Sequence, residues 1–203
     1  MRPTDASRRA SEAFLQAWLP LMRSLLHQLI HLPREPVHAV EHRAAVADAV
    51  NLYASFFRAR SRLALRDPAA ALCPPWAGLL ARALLWMGGW RPTAALRLVP
   101  DAASLSVEQA SGVEAISAVT RAEVAAVEEE IGWLQTEGVA RLATAVDQKA
   151  AVGRVVARQR RVAVAAESLR MEVVRRVVEV LAPLQAVDFL AAVMRLEISL
   201  HET

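Results

Sequence analysis

Pro74-Pro75-Trp76-Ala77-Gly78-Leu79-Leu80-Ala81-Arg82-Ala83-Leu84-Leu85-Trp86-Met87-Gly88-Gly89-Trp90-Arg91-Pro92-Thr93 holds three of the five tryptophans of the chain and three of its seven glycines. Pro75 suits the first turn of a helix, where its missing N–H is no loss. Leu79, Leu80, Ala83, Leu84 and Met87 then recur at helical spacing. Gly88-Gly89 reads as a left-handed stop, with positive φ expected at Gly89 as well, because glycine has no Cβ to clash. Pro92 cannot continue that helix but can open the next one, so Trp90-Arg91 falls at a sharp corner. A large aromatic there reads as an anchor clamping two helices, in preference to a ligand contact.

Before this corner, Phe14, Trp18, Leu21, Met22, Leu25 and Leu29 mark the apolar stripe of a helix opening near Glu12, after a frayed, arginine-rich start over residues 1–12. Pro20 predicts a kink near Leu19 or two short helices. Pro33 and Pro36 bracket a turn. A second helix is expected from about His38 to Leu65, with Val46, Val50, Tyr53 and Phe57 inward. Arg58, Arg60, Arg62 and Arg66 crowd its last turns, where cations suit the helix dipole, and Asp67-Pro68 closes it.

Beyond the corner, Thr93 to Val99 forms a short helix. Ser106-Val107-Glu108-Gln109 matches a capping box. The helix it opens buries Val113, Ile116, Thr120, Val127, Ile131 and Leu134, turns Glu114, Glu128 and Glu130 outward, and ends or bends at Gly138. Another long pattern runs from about Ala145 to Leu181, with Val155, Val162, Leu169, Val173, Val177 and Val180 inward. Pro183 starts the last helix, through Ala186, Phe189, Leu190, Val193 and Leu200. No stretch alternates with period two. The expectation is an all-α bundle of about six to eight helices, two of them long and in the second half, forming one domain over residues 13–200.

The 203 residues suffice for a substantial core, being 55% hydrophobic but only 5% aromatic. No window is long and apolar enough to span a membrane, and the N-terminal residues lack a signal-peptide hydrophobic stretch. Cys73 alone excludes an internal disulfide framework and suits a reducing compartment. The pI of about 9.9 arises from arginine, since Lys149 is the only lysine. Its charge is unevenly placed, positive over residues 1–100, negative over 101–151 and positive again beyond, so much of it can be satisfied within the chain.

The chemistry-bearing patterns are few. His27/His31 and His38/His42 are i,i+4 pairs, the spacing a metal or haem iron can use. No nucleophile elbow or phosphate loop occurs. Glu128, Glu129 and Glu130 spread over most of a helical turn and read as a solvated face or as partners of a basic helix. Arg154, Arg158 and Arg161 form a stripe that can bind an acidic partner or match the acidic helix before it. No basic region followed by leucine heptads is present, so duplex reading by a zipper is not expected.

In order, these pieces resemble the plant delay-of-germination (DOG) domain, found in seed-dormancy regulators, pollen-aperture factors and the C-terminal half of TGA-type bZIP factors. The resemblance rests on Phe14 with Trp18-Leu19, on Trp86-Met87-Gly88-Gly89-Trp90-Arg91-Pro92-Thr93, on Leu105-Ser106 with Gln109, and on Thr120-Arg121-Ala122-Glu123 with Leu134-Gln135. It continues through Ser168-Leu169-Arg170 and through Val180-Leu181 with Gln185-Ala186 and Phe189-Leu190. It implies a non-enzymatic regulator in transcription, dormancy and abscisic acid signalling or developmental patterning, in the nucleus or cytoplasm. Implied partners are TGA-type factors, type-two protein phosphatases or a second copy of the chain. Direct, sequence-specific DNA binding is known at the level of the family but is not expected here without a bZIP segment. Haem or lipid binding is the alternative role, with His27 and His31 as the candidate haem ligands.

Overall fold

A computed structural model describes residues 5–74, 77 and 85–202. The expected helix through Leu79, Leu80, Ala83 and Leu84, with Pro75 in its first turn, lies outside the described residues. Elsewhere the chain is all-helical: α1 (Asp5–Ile30), a 3-10 turn (Pro36–His38), α2 (Ala39–Arg66), α3 (Pro68–Leu72), α4 (Pro92–Ala95), α5 (Val107–Trp133), a π-helical turn (Leu134–Gly138), α6 (Val139–Thr144), α7 (Gln148–Val180) and α8 (Pro183–Glu202). Two of the longest, α5 and α7, lie in the second half and pack together. α2 lies against both α7 and α8, and α1 covers α8. No helix among the described residues is long and apolar enough to cross a membrane.

α1 starts at Asp5 rather than Glu12 and runs unbroken through Pro20, so there are not two short helices. Pro20 is on the exposed face, as is Gln16, whose carbonyl the proline cannot serve. Water can take the freed carbonyl, and the helix tolerates the proline. Asp67 ends α2 and caps α3, its carboxylate accepting from the Ala70 N–H at 3.0 Å. The expected capping box is present: Ser106 accepts from the Gln109 N–H at 3.2 Å, and Gln109 Oε1 accepts from the Ser106 N–H at 3.0 Å.

The same Gln109 reaches across the fold. Its Nε2 donates to the Val180 carbonyl at 3.1 Å and to Gln185 Oε1 at 2.8 Å. Gln185 Nε2 donates in turn to the Ser104 carbonyl at 2.7 Å, and its Oε1 also accepts from the Ala182 N–H. Two glutamines thus join the start of α5, the end of α7 and the start of α8, meeting orphan backbone groups at three helix termini.

The main core joins Met22 and Leu29 of α1, Tyr53, Phe56 and Phe57 of α2, Val173, Val174 and Val177 of α7, and Phe189, Leu190, Val193 and Met194 of α8. Trp18 packs on it, edge-on to Phe56 with ring centroids 5.7 Å apart. A second, smaller cluster forms around Val127, Leu134 and Val162, against which Trp133, Trp86 and Met87 pack. Trp90 belongs to the first cluster and Trp86 to the second. The Trp86–Trp90 corner is therefore the seam between two apolar clusters. An indole buries roughly 200 Å², on the order of 5 kcal/mol as an upper bound.

At the corner the structure corrects the expected helix stop. Trp86 and Gly89 exchange both backbone hydrogen bonds, at 2.7 and 3.0 Å, as an isolated antiparallel bridge. The residues between them, Met87 (φ +46°) and Gly88 (φ +76°), both have positive φ. Positive φ at both central residues is the mark of a type I′ turn. Gly89 is not in the left-handed region and must be small for another reason. A Cβ there would fall 2.9 Å from the Arg170 Cζ, whereas one on Gly88 would fall 1.9 Å from the Ala71 carbonyl oxygen.

Candidate functional site

The turn is held from inside by charge. Arg170 of α7 is wholly buried, and its guanidinium donates to the carbonyls of Trp90 (2.8 Å), Met87 (3.1 Å) and Trp86. It also pairs with Glu167 at 2.9 Å, one helical turn earlier. Arg60 of α2 completes the cradle, donating to the Gly88 carbonyl at 2.7 Å and to Glu167 Oε1 at 3.0 Å. From α8, Glu197 accepts from the Trp90 indole N–H at 2.6 Å and from His201 Nε2 at 3.0 Å, and lies 3.6 Å from Arg60. The planar fork of arginine suits this work, serving several carbonyls and a carboxylate at once.

Burial alone would raise the Glu197 carboxyl pKa, but the His201 hydrogen bond and the Arg60 charge outweigh it and hold the group below its usual range. Burial pushes the Arg170 guanidinium down, partly offset by Glu167. Burial, reinforced by the Glu197 charge, pushes the Tyr53 phenol well above its ordinary value.

Sequence reasoning placed Arg60 among the cations that suit the helix dipole at the end of α2 and did not single out Glu167, Glu197 or His201. The signal was present but indirect. Arg60 continues the buried stripe Tyr53, Phe56, Phe57 toward Ala64, and Glu197 sits between Met194 and Ile198 on the buried side of α8. The outward reading of Glu128 is also corrected: it accepts from the Trp86 indole at 2.9 Å and from Arg91 at 3.0 Å, closing the outer side of the corner. Pro92 is buried and opens α4 as expected.

A second constellation surrounds Trp133. Here Arg141 of α6 and Arg154, Arg158 and Arg161 of α7 line a groove of about 310 Å³. The Arg158 guanidinium lies 3.6 Å from the Trp133 ring centroid and donates to Glu130 through Nε and Nη2, which draws the Glu130 pKa down. Of the two readings of the acidic run, Glu130 follows the second, pairing with the basic helix. Arg141 pairs with Glu137 at 2.8 Å, Arg161 comes only to 3.9 Å from Glu130, and both side chains remain about two-thirds exposed. Arg154 is exposed and pairs with no carboxylate among the described residues. Arg176, farther along α7, is satisfied by Glu123 and Glu172. The basic helix therefore both matches the acidic helix and keeps spare cations, which line the groove at Trp133.

His27 and His31 stack with ring centroids 4.1 Å apart on an exposed face, His31 Nδ1 bonding the His27 carbonyl. Neither lines the groove at Trp133 or the cavity beside Glu167. Were haem to bind at this face, His27 and His31 would be the residues to hold it. His42, in contrast, is buried and bonded to the Pro33 carbonyl at 2.6 Å, and His38 pairs with Glu41. Among the described residues no three His, Cys, Asp or Glu side chains gather as a metal would require.

An all-α bundle seamed by a charge-clamped Trp–Met–Gly–Gly–Trp turn defines a helical scaffold. Residues 22–100, which include that turn, match the family model described as seed dormancy control (DOG1). Protein DOG1-like 2 of Arabidopsis thaliana is 28% identical over 196 residues, covering 77% of this chain and 74% of that protein. Protein DOG1-like 3 of the same plant is 26% identical over 77% of this chain and 70% of its own length. Protein ZW2, also from Arabidopsis thaliana, is 26% identical over 59% of this chain, and the match spans 56% of its length. Over residues 22–100 the chain is thus similar to the DOG-domain family, and the likeness to these relatives extends beyond that stretch.

Proposed function

We propose that this chain is a non-catalytic regulatory protein of the seed-dormancy type that acts by docking an acidic segment of a partner protein. The family likeness supports the regulatory role. The observation that carries the docking mode is the groove at Trp133, where four arginines face two nearby carboxylates and Arg141, Arg154 and Arg161 keep their side chains in solvent. Such a surface steers and orients an acidic strand or helix, and Trp133 supplies an apolar floor. TGA-type factors and type-two protein phosphatases are the partners to try first.

The test combines Arg141→Glu, Arg154→Glu and Arg161→Glu, which leave the Arg158–Glu130 pair intact. Binding to an immobilised TGA factor or phosphatase is expected to weaken about tenfold or more, with little change in melting temperature, because rim charges act on association rather than on folding. Wild-type binding should also fall steeply with salt. Equal affinity of the triple variant and the wild type would overturn the docking mode.

A further inference from the structure

The cavity on the far side of the ion network is a different site with different chemistry. It measures about 250 Å³ and lies between α1, α2 and α3, walled by Phe14, Leu15, Leu63, Ala70 and Pro74. Arg60 and Glu167 also line it. Glu167 is 3% exposed. Its Oε1 takes the bond from Arg60 and the contact with Arg170, while its Oε2 has no hydrogen-bond partner among the described residues. A buried carboxylate oxygen without a donor is costly, on the order of 1–3 kcal/mol or more. An apolar chamber that includes such an acceptor calls for a ligand with one donor.

The charge balance narrows the class. Arg60 and Arg170 face Glu167 and Glu197 as two cations and two anions, and Arg66 and Asp67 add one of each to the cavity wall, so the lining offers no net charge to an ionic ligand. A ligand carboxylate would bring a second negative charge against Glu167, and an ammonium would meet the two guanidiniums. Desolvating either ion against a lining whose charges are already balanced is unfavourable. We propose that this cavity binds a small neutral molecule with an apolar body and a hydroxyl group, the hydroxyl donating to Glu167 Oε2. A cavity of about 150 Å³ holds benzene, so this one suits a fused two-ring skeleton or a medium-length alkyl alcohol.

The test titrates the full chain with 2-naphthalenemethanol, 2-naphthalenemethylamine and 2-naphthoate, following amide shifts by NMR. The alcohol is expected to saturate shifts on α1 and α3 with an affinity at least about tenfold above either charged analogue, a difference worth about 1.4 kcal/mol. Ser11→Phe, which fills the chamber from α1 without touching the ion network, should abolish the shifts while the protein stays folded. Since the three-ligand comparison is made on the wild type, it stands even where that variant is unstable. No saturable shift with the alcohol, or equal binding of the carboxylate or the amine, would overturn the proposal, as would unchanged binding by folded Ser11→Phe.

Discussion

Gly88→Ala is expected to unfold the protein at markedly lower urea than the wild type, by roughly 3–5 kcal/mol. Two independent penalties combine there. A left-handed backbone disfavours any Cβ by about 1–2 kcal/mol. The new Cβ would also lie 1.9 Å from the Ala71 carbonyl oxygen, which neither backbone can yield without moving α3 off the turn. Gly89→Ala is the control. Its φ is not left-handed, and its Cβ would meet only the Arg170 guanidinium at 2.9 Å. Displacing that group is expected to give a smaller loss, of about 1–3 kcal/mol. Equilibrium urea unfolding of both variants checks the order, and a Gly88→Ala loss below that of Gly89→Ala would refute the turn assignment.

Arg170→Met is the second large effect. Methionine fills a similar volume but leaves Glu167 short of a cation and the carbonyls of Trp86, Met87 and Trp90 without this donor. Removing one member of a buried charge pair typically costs about 3–5 kcal/mol, a large share of the 5–15 kcal/mol that stabilises an ordinary domain. Arg170→Lys should recover little of it, since an ammonium cannot fork between several carbonyls and a carboxylate. Thermal unfolding of the two variants distinguishes the explanations: near-wild-type stability of the lysine variant would show that charge alone, rather than the guanidinium fork, holds the turn.

The local grammar of the helices was readable from the residues. Ser106 and Gln109 announce a capping box by spacing alone, Asp67-Pro68 marks a boundary, and the apolar stripes of α2, α7 and α8 fall on Tyr53, Phe57, Val173, Val177, Phe189 and Val193. These signals act within one or two turns, where sequence neighbours are spatial neighbours. The corner was located but its geometry was not. Gly88-Gly89 after an apolar pattern reads equally as a helix stop or a tight turn, and the choice is made by Arg170 from 80 residues away and by Arg60. Likewise, Arg60 and Glu197 look like ordinary surface charges until α2, α7 and α8 bring them together, because a pair separated by over a hundred positions leaves no periodic trace. The arginine stripe on α7 divides the same way. Its match to the acidic helix was legible from the charge alternation, whereas Arg141 and Trp133 enter the groove only through the π-helical turn.

The central claim is that the Trp86–Trp90 turn is locked into the fold by the buried arginine–glutamate network rather than fastened to its surface. Native-state hydrogen exchange at the Gly89 amide, which donates to the Trp86 carbonyl at 3.0 Å, tests this directly. A locked turn opens only when the whole domain does, so the exchange free energy at Gly89 should equal the global unfolding free energy from urea. Exchange of Gly89 at a free energy several kcal/mol below the global value would mean that the turn opens on its own, and would contradict the account.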